Sequence, residues 1–276
     1  MKGRQVENIQ IYKTSSGAIN EITDKVAVEE PLQIQLEYST ATGQMQKDIA
    51  VTMRTPGNDE ELAAGFLFTE AVIKNADDIS AIKHLHADEN IIQVILKENI
   101  IPSLGSAARN FYTTSSCGIC GKASIDAIQT VTQYAEVKNN SCIPAAVFHT
   151  LQNELKKQQK VFEDTGGIHA SAIFDAEGRF ILLREDVGRH NALDKIIGFA
   201  MLNRQLPLNN GILLLSGRAS FELVQKAEMA GIKIIASVGA PSSLAVEMAK
   251  ENDVTLIGFL REDRFNIYSG KKRISL

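Results

Sequence analysis

The sequence predicts an α/β protein, with a small α+β unit over residues 1–108 followed by a larger unit of strands alternating with helices over residues 109–276. Three observations carry this expectation. Apolar and polar residues alternate with period two toward the N-terminus, short apolar runs alternate with amphipathic stretches toward the C-terminus, and a loop-rich joint, Pro102-Ser103-Leu104-Gly105-Ser106, lies between them. In the first unit, Leu32, Ile34 and Leu36, then Ile49, Val51 and Met53, sit between polar neighbours and read as half-buried strands. After Thr55-Pro56-Gly57, Asn58 is placed to cap a helix, with Glu61 three residues on completing a capping-box pattern. That helix would bury Leu62, Phe66, Leu67 and Val72, and strands over 79–85 and 91–96 would follow.

In the second unit, residues 168–174 and 179–183 flank the turn Asp175-Ala176-Glu177-Gly178 and read as a hairpin. A helix from Gly188, a strand over 212–215, a helix from Ser220, a strand over 232–237, a helix from Ser242 and a strand over 254–259 then predict a mainly parallel, helix-covered sheet.

Composition narrows the function classes. The 276 residues are 44% apolar, enough to build a core. With 29 Lys plus Arg against 33 Asp plus Glu, the formal charge of −4 creates no overall field that would draw nucleic acid or anionic lipid, so an anionic ligand requires a local site. Three cysteines do not make a disulfide framework. The N-terminal residues lack a signal-peptide apolar core, and no run reaches the ~18 apolar residues of a membrane span. A reduced, cytoplasmic protein is expected, with no membrane or nucleic-acid partner.

The densest chemistry lies in Ser115-Ser116-Cys117-Gly118-Ile119-Cys120-Gly121-Lys122. A helical run follows at once, so its positive dipole end and Lys122 favour thiolate at this pair. Thiol or persulfide chemistry is the leading reading. Two others stay open: a zinc site, for which Cys142 with His169 or His190 would have to complete the ligands, and small residues merely shaping a turn. Cys142, in Asn140-Ser141-Cys142-Ile143-Pro144, reads as a structural residue at a helix entry.

The ends of the predicted parallel strands offer anion sites, because the following helices present free N–H groups. In Leu215-Ser216-Gly217-Arg218-Ala219-Ser220, Gly217 permits close backbone approach, Ser216 and Ser220 can donate, and Arg218 can bind an anion bidentately. Ser237-Val238-Gly239-Ala240-Pro241-Ser242 repeats the pattern without a charge. Glu185-Asp186-Val187-Gly188-Arg189-His190 places two cations, Arg189 and His190, at a helix N-terminus where they oppose the dipole; either a bound anion or capping by Asp186 would relieve the conflict. Thr165-Gly166-Gly167-Ile168-His169 sets a histidine beside two glycines, and Phe259-Leu260-Arg261-Glu262-Asp263-Arg264 ends the last strand in a charged turn.

Together, Ser116-Cys117-Gly118-Ile119-Cys120-Gly121, Thr165-Gly166-Gly167-Ile168-His169, the stretch from Glu185 to Lys195, Ser216-Gly217-Arg218 and the early Leu62-Ala63-Ala64-Gly65-Phe66-Leu67 resemble the formate dehydrogenase accessory sulfurtransferases, the FdhD family, over nearly the whole chain. The resemblance implies a cytidine-deaminase-like three-layer α/β domain behind the small α+β domain. It also implies a sulfurtransferase that takes persulfide sulfur from a cysteine desulfurase and passes it to the molybdenum bis(molybdopterin guanine dinucleotide) cofactor required by formate dehydrogenase. Cys117 would carry the persulfide and Cys120 would assist transfer or resolution. Phe259, Leu260, Arg261, Glu262, Asp263 and Arg264 would bind the cofactor, with Arg189, His190, Ser216 and Arg218 as further candidates. The cofactor is then a bound substrate, no permanent metal is expected, and a homodimer is possible, since members of the family can be dimeric. A zinc deaminase, suggested by the fold relation, lacks its motif here: His169 is followed two residues later by Ser171 rather than Glu, and no Pro precedes Cys117. The alternative within the family's cofactor chemistry is a binding chaperone whose C-x-x-C is a zinc or structural site.

Overall fold

A computed structural model describes residues 3–85, 90–104 and 132–276. The sequence-predicted α/β class is observed, and its first element is one that the alternation pattern did not assign. Strands β1 (Val6–Ser15) and β2 (Ala18–Ala27) form a two-stranded antiparallel ribbon. Ser16 and Gly17 join them with positive φ of 50° and 84°, the mirror-image turn that matches strand twist. The ribbon is mostly exposed, so few apolar positions betrayed it.

The next unit is a four-stranded sheet ordered β4-β3-β6-β5. It consists of β3 (Glu30–Thr40), β4 (Gly43–Arg54), β5 (Ile79–His84) and β6 (Ile91–Leu96), with helix α1 (Asp59–Thr69) between β4 and β5. Leu32, Ile34, Leu36 and Ile49 are buried as predicted, whereas Val51 and Met53 lie on the exposed side. The helix starts where expected, but not by the expected device. Asn58 adopts a left-handed conformation (φ 58°) and makes no side-chain cap, and Glu61 is drawn instead to Arg184. Leu62 and Leu67 are buried, Phe66 is only half-buried, and Val72 is buried beyond the helix end.

The larger sheet runs β13-β12-β11-β10-β8-β9. Between the two sheets in the chain come β7 (Ile143–Pro144), α2 (Ala145–Gln158) and α3 (Lys160–Thr165). The hairpin β8 (His169–Phe174) and β9 (Phe180–Asp186) follows, then α4 (Arg189–Leu202), β10 (Ile212–Leu215), α5 (Phe221–Met229), β11 (Ile234–Ser237), α6 (Ser243–Glu251), β12 (Thr255–Gly258), β13 (Asn266–Ser269) and β14 (Ile274–Ser275). The expectation of a mainly parallel sheet is met only in its middle: β10, β11 and β12 are parallel, while β8, β9 and β13 pair antiparallel. Two-residue strand β7 pairs with β14, and Cys142, just before it, is exposed rather than packed at the helix entry.

Alternation along the inner strands sorts the core. Leu213, Leu215 and Ile235 face α4, α5 and α6, whereas Ile212, Leu214, Ile234 and Ala236 face α2 through Phe148, Leu151 and Leu155. The first of these cores continues through α4 into α1 and the four-stranded sheet. Helices α1 and α4 cross at glycines. A Cβ on Gly65 would lie 1.9 Å from the Asp194 carbonyl oxygen, and one on Gly198 1.8 Å from that of Glu61, so no other residue fits at this separation.

Candidate functional site

The predicted strand-end loops come together on one face. Loop 216–220, loop 238–242 and the turn after β12 are bonded in a row: Gly239 N donates to Gly217 O, Phe259 N to Gly239 O, and Ala219 N to Ala240 O. A Cβ on Gly239 would meet Gly217 O and Arg218 N at 2.9 Å, so glycine is what lets the loops touch. Ser237, at the end of β11, donates its hydroxyl to Gly239 O and Ile257 O.

Two cavities open here. One, of about 450 Å³, is lined by Lys156, Gly166, Gly167, His169, Ser216 and Val238 among others. The second, of about 290 Å³, is lined by Phe259, Arg261, Arg264 and Asn266. Arg261 joins them, since its guanidinium donates to Val238 O at 2.9 Å and to Leu260 O at 2.6 Å. Phe259 stands 42% exposed with φ 53°, a strained backbone for a bulky residue, while the adjacent Leu260 is fully buried and anchors the turn. Glu262 approaches Lys156, and Asp263 pairs with Arg264, all on the surface. Across the turn, His149 packs against Phe265 with ring centroids 5.2 Å apart.

The remaining candidates divide. Arg218 is exposed and has no side-chain partner among the described residues. Ser216 Oγ accepts from Ala170 N at 2.8 Å, so it ties loop 216–220 to β8 while lining the first cavity. Arg189 Nε is buried without a hydrogen-bond partner among the described residues, as is Ser171 Oγ on β8. The neighbouring His190 is answered from within: its Nε2 lies 3.4 Å from Ser220 Oγ and 3.9 Å from Glu222, whose carboxyl is held down at about 2, chiefly by the hydrogen bond with His190. His169, beside Gly217, has its pKa lowered by burial and then by the positive charges of Arg189 and His190. Cys117 and Cys120 lie outside the described residues.

The stretch from Glu185 to Lys195 contains a second set of residues, serving structure, that the motif reading did not separate. Glu185 caps α3 by accepting from Val161 N and Phe162 N. Asp186 accepts from Gly188 N, Asn191 Nδ2, Thr55 N and, at 2.7 Å, Lys195 Nζ. Burial pushes its carboxyl up and Lys195 pulls against that shift. Asp194 receives Lys226 at 2.9 Å and Thr69 Oγ1 at 2.9 Å, with Glu70 3.5 Å from the same ammonium. Burial opposes the Lys226 charge, but Asp194 and Glu70 outweigh it and hold its pKa above the ordinary value. Arg184 grips Glu61 with two bonds of 2.6 and 2.8 Å. The available signal was the position of Asp194 and Lys195 inside an otherwise apolar helix.

Fold and site together define an α/β protein whose strand-end loops, with exposed Arg218 and the turn from Phe259 to Arg264, gather on one face. At the level of sequence, the family model described as FdhD/NarQ matches residues 27–275. The chain belongs to the FdhD/NarQ family. It is 46% identical to a protein of Mycolicibacterium paratuberculosis named sulfur carrier protein FdhD, covering 91% of this chain and 92% of that one. A protein of the same name from Sulfolobus acidocaldarius is 42% identical over 99% of this chain and its own full length. The crystal structure of a protein from Desulfotalea psychrophila, provisionally assigned as a formate dehydrogenase accessory protein, superposes with a TM-score of 0.74 at 27% identity, covering 99% of this chain and 100% of that one.

Proposed function

We propose that this protein carries persulfide sulfur from a cysteine desulfurase to the molybdenum bis(molybdopterin guanine dinucleotide) cofactor needed by formate dehydrogenase. The observation that carries the reading is the family match over residues 27–275, a span that contains the Cys117-x-x-Cys120 motif. The Cys117 thiolate attacks the sulfane sulfur of the desulfurase persulfide; that S–S bond breaks, the desulfurase cysteine leaves as thiolate, and Cys117 becomes the persulfide. Attack of the Cys120 thiolate on Cys117 Sγ then breaks the new S–S bond and releases the sulfur as sulfide to molybdenum. The Cys117–Cys120 disulfide left behind returns to two thiols with two electrons from a dithiol reductant.

The guanine dinucleotide tails rest along the strand-end loops. Arg218 and the buried Arg189 Nε, which has no partner among the described residues, supply charge-assisted donors, Ser216 and the glycine-lined loops allow close approach, and Phe259 to Arg264 close the far end. A protein that receives sulfur on Cys117 and gives it up again must serve two partners in turn, the desulfurase and formate dehydrogenase. Formate dehydrogenase activation in a strain lacking the native gene tests the reading. Cys117→Ala should give no activation, and full activation by that variant would refute the persulfide role.

A further inference from the structure

We infer that Thr55, which follows β4 of the four-stranded sheet, is a positioning residue for the nucleotide: it fixes the backbone that presents Arg189, an inference that rests on the nucleotide reading given above. The start of α4 is where such a hold is needed. Gly188 is the N-cap and supplies no side chain to cap the helix. Arg189, the first helical residue, sets a positive charge at the positive end of the helix dipole. Its Nε is buried with no hydrogen-bond partner among the described residues, which is costly until a ligand arrives. Nothing in the helix itself favours this arrangement, so the surrounding chain has to hold it.

The turn Thr55-Pro56-Gly57 supplies the hold. Thr55 is fully buried and directs three groups at the segment that opens α4. Its backbone N–H donates to Asp186 Oδ2 at 3.2 Å, its hydroxyl accepts from Val187 N at 3.3 Å, and its carbonyl accepts from Lys195 Nζ at 2.9 Å. Asp186 in turn accepts from Gly188 N at 2.8 Å. The two N–H groups ahead of Arg189 are thus both set, one by Thr55 directly and one by the carboxylate that Thr55 holds. Thr55 has little freedom of its own, because the following Pro56 biases it toward extended backbone and Gln5 Nε2 pins the Pro56 carbonyl at 3.1 Å. The end of β4 also grips the first turn of α4: Asn191 Nδ2 donates to Met53 O at 2.8 Å and Asn191 Oδ1 accepts from Thr52 Oγ1 at 3.2 Å. Val187 itself lines the cavity that holds His169 and Ser216, so its bond to Thr55 reaches the wall of the site. Of the three Thr55 bonds only this one uses the side chain, and it can be removed alone. A residue that merely braced the two sheets would lower stability and leave the affinity of the folded protein unchanged.

Calorimetric titration of the full chain with GDP, at a temperature where circular dichroism shows each variant folded, tests the inference. Thr55→Val keeps the branched shape but leaves the Val187 N–H unpaired, and Thr55→Ala removes the hydroxyl with less bulk; each should weaken GDP binding about tenfold. Thr55→Ser retains the hydroxyl and should stay within about twofold of the wild type. In an Arg189→Ala background, Thr55→Val should weaken binding by less than about twofold more, because Thr55 acts through Arg189 and the two losses are not additive. Wild-type affinity in both Thr55→Val and Thr55→Ala, the same loss with and without Arg189, or failure of both variants to fold would overturn the inference and leave the nucleotide reading standing. A wild type that binds no GDP would refute that reading and the inference together.

Discussion

The joint between the two sheets and the face at the strand ends use the same residue types in opposite ways. In the joint, Asp186 with Lys195, Asp194 with Lys226, and Glu61 with Arg184 are buried or nearly so, and each charge meets its opposite within 3 Å. On the strand-end face, among the described residues Arg218 is exposed without a side-chain partner and Arg189 buries a nitrogen without one, while Phe259 is held in a strained, exposed conformation. A charge whose partners are built into the protein orders helices; a charge left uncompensated by the described residues is available to a ligand. His190 shows that adjacency in sequence does not decide the matter, because it follows Arg189 directly and yet is answered by Glu222.

This contrast makes graded predictions. The largest effect belongs to the joint: Lys195→Met strands the Asp186 carboxylate and should cost about 3–5 kcal/mol in chemical denaturation. Gly198→Ala should cost about 2–3 kcal/mol by prying α1 from α4, since its Cβ would meet backbone rather than a movable side chain. Glu228, at the end of α5, marks the joint's imperfect edge: burial pushes its carboxyl up to about 7, opposed by Lys233. Because the folded pKa lies above the ordinary 4.5, the folded state binds the extra proton, and stability falls as pH rises through that interval. Glu228→Gln should leave stability unchanged at pH 4 and raise it by on the order of 2 kcal/mol at pH 8, read from denaturation midpoints. The strand-end residues should behave in the reverse manner. Arg218→Ala should shift stability by less than about 0.5 kcal/mol and weaken GDP binding about tenfold in calorimetric titration. A large stability loss with unchanged nucleotide affinity would erase the distinction.

The same contrast explains what the sequence disclosed. Strands β3, β6 and β10 and the helices from Gly188, Ser220 and Ser242 were legible because each buries one face against a core, leaving period-two or helical patterns. The β1–β2 ribbon buries almost nothing, so its only local mark was Ser16-Gly17. Asn58 carried the composition of a cap while its backbone took the left-handed state that excludes capping geometry. The antiparallel flanks of the larger sheet escaped notice because hydrophobic runs report burial and not strand direction. Within the site, the loops were found from their glycines and charges. Which charges face inward was not, since ion pairs such as Arg184 with Glu61 span more than a hundred residues of chain.

The central claim is that sulfur travels on Cys117, and mass spectrometry of the full-length protein after incubation with a cysteine desulfurase and cysteine tests it most directly. The account predicts a gain of one sulfur mass that maps to Cys117 and is removed by a thiol reductant. No gain, or an undiminished gain in Cys117→Ala, would contradict it.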